Sequence, residues 1–220
     1  MTPLNRDAMK NILLFISLFI LVLSMLFLVW GFWPPRRETV TVPLLPADGM
    51  PSLPEVRTIH LTFSPVTRAG DAQIVELNLS ADGEAVDASL YEEYNVIVEA
   101  RLDLPFADVR PAEVVSTALA EGGAATFYWE VNPREEGELR GTIWLYLRLV
   151  PKAGGAEVRQ PVSAQLIGIR SKSVLGRTGS EARVAGIVGL IVGLMMGIPF
   201  ARARRTSPNG IDSTESRPRG

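Results

Sequence analysis

The acidic clusters Glu92-Glu93 and Glu135-Glu136-x-Glu138 are the first residues that could do chemistry, because neighbouring carboxylates offer oxygen ligands to a hard cation. A calcium loop spaces its ligands as Asp-x-Asp-x-Asp-Gly, and neither cluster has that spacing. Asp82-Gly-Glu84 followed by Asp87 comes nearest and still departs from it, so all three read as solvated turns. His60 is the single histidine and sits in an alternating stretch, where a lone imidazole reads as a surface or satisfied core group. With no cysteine and no second histidine, zinc would be left with carboxylates alone, which suit it poorly. There is no Gly-x-Ser-x-Gly elbow and no glycine-rich phosphate loop. Asn78-Leu-Ser80 matches a glycosylation acceptor, but a strand is a poor place for one and the match reads as chance. No catalytic residue, cofactor, metal or small-molecule substrate is expected, and an enzyme is the weakest of the functional readings.

Charge narrows the partners. The 220 residues carry a formal charge of −2. Between Glu38 and Gly176 there are 20 acidic against 11 basic residues, while the tail from Ala201 holds five arginines against two acids. An acidic body lacks the cationic face that nucleic acid needs. The tail suits anionic lipid headgroups, at about 1 kcal/mol per basic residue. The absence of cysteine excludes disulfides and thiolate chemistry.

Two apolar runs position everything else. After a short N-terminal tail (1–11), residues 12–33 form an uncharged stretch of 22, about 33 Å as a helix and enough for the hydrocarbon core. Trp30 and Trp33 suit the headgroup level, and Arg36 and Arg37 follow behind a proline pair. A cleaved signal peptide is the competing reading, but its apolar region would be shorter and end in small residues. The second span covers 183–201, and Arg202, Arg204 and Arg205 follow it as interfacial residues opening a disordered basic tail (202–220). Pro199 is expected to distort or end its last turn. A buried helix of a soluble domain is the alternative. Segment 171–182 serves as juxtamembrane linker and helix cap, with Thr178 and Glu181 matching a capping box. Ala185, Gly189, Gly193 and Gly197 recur every four residues and suggest a packing face for another helix. Its partner is either the bulky first span, which reads as a plain lipid-facing anchor, or another copy; Gly186 reads as lying off the stripe.

Two spans place both termini on one side. The basic flanks nearly balance; the arginine tail and acidic body favour cytoplasmic termini and an extracytoplasmic domain, with the reverse kept open. Residues 34–55 hold six prolines and read as a semi-rigid spacer, with an edge strand over 40–45 as the lesser alternative. In 56–170, alternation marks strands at 58–63, 73–79, 94–102, 125–131, 139–149 and 158–169, with turn formers between them. Only 111–119 looks helical. Six or seven strands without crossover helices point to an antiparallel β-sandwich.

Trp129, Gly137, Gly141, Trp144 and Tyr146 form the most distinctive cluster, and Trp129, Trp144 and Tyr146 are expected in the core. The stretch from Phe127 to Leu147 resembles the late strand pair of bacterial immunoglobulin-like domains: an aromatic strand, a Pro-x-x-x-Gly turn, then an alternating strand. The whole chain resembles bacterial membrane proteins that carry one such domain between two spans. The resemblance implies a mainly β, immunoglobulin-like sandwich flanked by two transmembrane helices in the bacterial cell membrane, and no activity. The functional expectation is a non-enzymatic anchored module that binds another protein at the membrane surface, as an accessory subunit or scaffold. The alternative is a sensor or assembly factor acting through transmembrane helix dimerisation, a homo-oligomer through the second span.

Overall fold

The structure, a computed structural model, describes residues 6–44, 53, 55–83 and 89–205, the helical side chains of 6–8, 10 and 198–205 excepted. In chain order the elements are α1 (Arg6–Phe32), β1 (Glu38–Leu44), β2 (Arg57–Phe63), β3 (Val66–Arg68), β4 (Gln73–Ala81), α2 (Ser89–Glu93), β5 (Tyr94–Asp103), β6 (Ala107–Arg110), β7 (Val115–Ala118), β8 (Ala125–Pro133), β9 (Gly137–Pro151), β10 (Val158–Lys172) and α3 (Gly179–Arg205). They make two compact units, one of α1 and α3 and one spanning Trp33–Ser180.

The second unit is mainly β. Its sheets run β1-β2-β4-β8-β6 and β3-β10-β9-β5-β7. One apolar cluster takes residues from both, including Ile59, Leu77 and Trp129 from the first and Val98, Leu145 and Ile169 from the second, so the sheets face each other as a sandwich. The orders β2-β4-β8-β6 and β10-β9-β5 match the ABED and CFG sheets of immunoglobulin-like domains, which this sandwich resembles. β1, β3 and β7 are additional edge strands.

Period-2 alternation sets the core. Along β8, Phe127, Trp129 and Val131 point inward; Trp129 is fully buried, its ring 6.1 Å from Phe127 and nearly parallel to it. On β9 the buried set is Leu139, Ile143, Leu145, Leu147 and Leu149. Gly141 lets the carbonyl and Cα of the β5 end approach, since a Cβ there would sit 2.9 Å from Leu104 Cα.

Several expectations need correction. Trp144 is 38% exposed and Tyr146 half-buried, so neither belongs to the core. Both occupy even positions of β9, and the leucines at odd positions take the inner face. The proline-rich segment is not a plain spacer: residues 38–44 form β1, paired with β2 from Glu38↔Phe63 to Leu44↔Arg57. Pro43 is tolerated because β1 is an edge, with no further strand to donate to. Pro46, Pro51 and Pro54 lie outside the described residues. Segment 111–119 holds strand β7 rather than a helix, paired with β5; its Val-Ser-Thr run favours the pleat. The sheets are not wholly antiparallel, because β3 pairs parallel with β10. That short strand directly continues β2 beyond the Ser64-Pro65 break, so it crosses to the other sheet without reversing.

Both long helices hold a stretch long and apolar enough to cross a membrane, Asn11–Phe32 in α1 and Gly179–Gly197 in α3. α1 begins at Arg6, inside the expected tail, and α3 runs past Pro199 to Arg205, so 202–205 are helical rather than disordered; 206–220 lie outside the described residues.

Truncation of the two tryptophans separates core from surface. Trp129→Ala is expected to cost about 3–5 kcal/mol and Trp144→Ala less than about 1 kcal/mol, read from chemical-denaturation midpoints of the full chain.

Candidate functional site

The helical unit is joined along small residues. On α3 the side turned to α1 carries Ala182, Gly186, Gly189 and Gly193, with Gly197 at its end. A Cβ on Gly186 would meet Leu28 at 2.8 Å, one on Gly193 would meet Leu21 at 2.8 Å, and one on Gly189 would collide with the Ser24 hydroxyl. Ser17 Oγ donates to the carbonyl of Gly193 at 2.8 Å. Ser24 Oγ donates to Ile20 in its own helix at 2.7 Å. Ala185 is exposed and Gly186 takes its place in the seam. With 3.6 residues per turn, a strict four-residue repeat drifts around the helix, whereas steps of four, three and four hold one face.

α1, expected as a plain lipid-facing anchor, instead carries a packing seam of its own. Ser17, Ser24 and Gly31 are buried and stand seven residues apart, which makes a matching small-residue seam on α1. That heptad was the available signal among the bulky residues around it. At its end, Arg183 donates to the carbonyl of Gly31 at 3.1 Å and lies 6.0 Å from the Phe32 ring. A cation there satisfies an orphan carbonyl and complements the helix C-terminus. Away from the seam, Phe15, Phe19, Leu26 and Met195 are exposed.

Trp30 is half-buried in the last turns of α1, and Trp33 follows the helix, exposed. Arg36 and Arg37 are exposed before β1, and the side chains of Arg202, Arg204 and Arg205 lie outside the described residues. Thr178 stands immediately before α3 and Glu181 in its first turn. Where the sandwich unit begins and ends, one turn gathers the chain. Arg68 donates to the carbonyl of Trp33 and pairs with Asp71 at 3.3 Å, Ala69 N donates to Lys172 O at 3.0 Å, and Gly179 N donates to Ala69 O at 3.1 Å.

A buried polar cluster that sequence reading missed lies inside the sandwich unit. Glu55 and Arg57 form an ion pair with both side chains fully inaccessible. Arg57 also donates to the carbonyl of Gly123 at 2.7 Å and to Tyr91 Oη at 3.0 Å, and Tyr91 donates to Glu55 at 2.6 Å. The three residues lie 36 positions apart in sequence at most, so only the folded sheets reveal them. Burial, then the hydrogen bond to Glu55, pushes the Tyr91 phenol up to about 12.

The outer face of the sheet β7-β5-β9-β10 carries another group. Trp144 lies between Arg101 and Ala164, and Tyr146 between Glu99 and Pro161. The Arg159 guanidinium sits 4.1 Å over the Tyr146 ring. Glu99 pairs with Arg159 at 2.7 Å and Arg148 at 3.0 Å, which fixes both cations on the sheet.

The other candidates are occupied locally. His60 Nδ1 lies 3.2 Å from Thr41 Oγ1. Asn78 donates to Thr126 at 2.7 Å. Glu138 pairs with Arg140 at 3.1 Å, and Glu136 accepts from Ser173. Glu84 and Asp87 lie outside the described residues. Among the described residues no group of three or more acidic or histidine side chains converges to hold a metal ion. On the surface, the Arg134 guanidinium holds the Asp108 carboxyl below the usual range.

No protein-family model and no curated protein matches the chain. Among solved structures, it is similar to a chain of the complex of zinc 2-glycoprotein and prolactin inducible protein from human seminal plasma, at 10% identity, covering 62% of this chain and 93% of that one, with a TM-score of 0.33. It is also similar to the ASH/PapD-like domain 7 of human CEP192, at 13% identity over 59% and 95% of the two chains, TM-score 0.32. A third is AggA, the major subunit of aggregative adherence fimbriae type I from Escherichia coli, at 10% identity over 62% and 96%, TM-score 0.29. The sandwich described above rests on the strand order and register of this chain alone.

The Tyr91 shift has a sign. A phenol raised in the folded state stabilises fully below its unfolded pKa near 10, and that stability is lost as pH rises through about 12. The denaturation midpoint of the full chain is expected to fall between pH 10 and 12, and Tyr91→Phe should remove that component of the fall.

Proposed function

We propose that this chain is a non-enzymatic module of the bacterial cell membrane, anchored by α1 and α3, whose sandwich binds another protein at the membrane surface. It acts as an accessory or scaffolding subunit, with both termini cytoplasmic and the sandwich extracytoplasmic. The observation that carries the binding role is the outer face of β5-β9-β10, where Trp144, Tyr146, Arg101, Arg148 and Arg159 stand together on a rigid sheet. Tryptophan, tyrosine and arginine are the residues that dominate interface energies, because they combine large contact area with a polar tip. The Glu99 ion pairs hold two of the arginines in place, which lowers the entropy cost of contact.

The anchoring role is supported by the exposure of the two apolar helices. Most of Asn11–Phe32 and of Gly179–Gly197 is exposed on the molecule, unlike a core helix. Dimerisation through the α3 glycines is the weaker reading, since α1 covers that stripe within the chain.

Two measurements test the proposal. The tagged chain, extracted in mild detergent, is expected to leave the membrane in one defined complex, with Trp144→Ala weakening it at least tenfold; a chain that emerges alone and monomeric overturns the binding role. For orientation, cysteines placed at Ala81 and Ser207 should differ, with only the first labelled by an impermeant reagent in intact cells. Labelling at Ser207 alone inverts the topology.

A further inference from the structure

The edges of the two sheets are not protected alike. A sheet edge presents a row of free backbone donors and acceptors, and natural edges are blunted by charge, proline or shortness. β1 carries Glu38 and Pro43, β6 carries Asp108 and Arg110, β3 ends in Arg68, and β7 is uncharged but only four residues long. β10 differs. It runs for 15 residues beside β9, yet on its other side β3 pairs only with Arg170, Ser171 and Lys172. Its first part is interrupted by Pro161 and the register shift between Pro161 and Ser163. What remains is Ser163-Ala-Gln-Leu-Ile-Gly-Ile169, seven residues with neither charge nor proline and, among the described residues, no strand on that side. Leu166 is 84% exposed, and a Cβ on Gly168 would meet nothing within 4 Å, so the outer surface at this edge is open as well.

We propose that Ser163–Ile169 is a β-augmentation site that takes an extended, uncharged segment of a partner protein as a further strand, in line with β3. The chemistry of the edge selects the occupant. Only an extended backbone offers alternating acceptors and donors at the spacing of a strand, and an uncharged row beside Ala164, Leu166 and Gly168 favours small or apolar side chains. This deepens the proposed binding role and rests on it, since the edge borders the Trp144 face directly through the Ala164↔Trp144 pair.

A second copy pairing edge to edge about Leu166 is the competing occupant, and it would protect these same amides before any peptide is added.

The test is amide hydrogen exchange on the full chain in lipid nanodiscs, with and without an excess of the acetylated and amidated peptide Val-Thr-Val-Thr-Val-Thr-Val. Every second amide between Ser163 and Ile169 points away from β9 and should exchange fast alone. The peptide should slow these amides at least tenfold while their alternates, already bonded to β9, stay unchanged. Leu166→Lys, at an exposed position that leaves the core intact, should abolish the slowing. Free-edge amides that are protected without peptide, that ignore it, or that respond equally in Leu166→Lys overturn the proposal. If they do so while the detergent-extracted complex still forms, the edge reading alone falls; loss of the complex itself removes the binding role.

Discussion

Two helices can approach closely only where small residues meet, and Ser24 against Gly186 and Gly189 is where α1 and α3 satisfy that condition. A Cβ on Gly186 would lie 3.1 Å from the Ser24 carbonyl oxygen, and one on Gly189 would collide with the Ser24 hydroxyl. In lipid, packing of this kind replaces the hydrophobic effect as the force joining helices, because chain tails are as apolar as leucine. The contact propagates in both directions. Gly186 admits Leu28, Gly193 admits Leu21 and accepts the Ser17 hydroxyl, and Arg183 closes the seam at the carbonyl of Gly31. With the small residues used inside the pair, the outward surface is left to side chains such as Phe15, Phe19, Leu26 and Met195. Under the proposed function, specific recognition falls to the sandwich.

The sandwich divides its labour by the parity of its strands. Odd positions of β9 supply the leucine and isoleucine core beneath Trp129, and even positions supply Trp144, Tyr146 and Arg148 to the surface. The same rigid strand therefore carries packing on one side and the candidate contact face on the other. Inside the unit, the Glu55–Arg57–Tyr91 cluster links the segment before β2 to α2 and to the Ala120–Gly123 turn. Removing one member of such a buried pair is costly, because it strands the other charge away from water. The cluster fixes how the loops at that end are arranged rather than adding much net stability.

Much of the architecture was legible in the sequence. Alternation located β2, β4, β5, β8, β9 and β10 to within three residues, because half-buried strands write their period directly into residue type. The inward phase of β9 is legible too, since Leu139, Ile143, Leu145, Leu147 and Leu149 alternate with Glu138, Arg140 and Arg148; Trp144 and Tyr146 share the charged phase, and their size alone suggests the core. β1 was legible only as the lesser alternative over 40–45, because Pro43 argues against a strand until its penalty vanishes at an edge, and β3, β6 and β7 are too short to show a period. The α3 stripe was visible as glycines but one member was misplaced, since Gly186 rather than Ala185 keeps the helical phase. On α1, two serines and a glycine seven residues apart were lost among leucines and phenylalanines. The Glu55–Arg57–Tyr91 cluster has no local signature at all.

The central claim, that the small-residue stripe is used within the chain and leaves binding to the sandwich, has a direct test. A Cβ on Gly189 would lie 3.3 Å from Ser24 Cβ, close to disulfide geometry, and the chain has no cysteine of its own. The double variant Ser24→Cys/Gly189→Cys, oxidised in native membranes, should run on a non-reducing gel as a cross-linked monomer. A cross-linked dimer in place of that monomer would show that the stripe joins two copies, and would contradict the account.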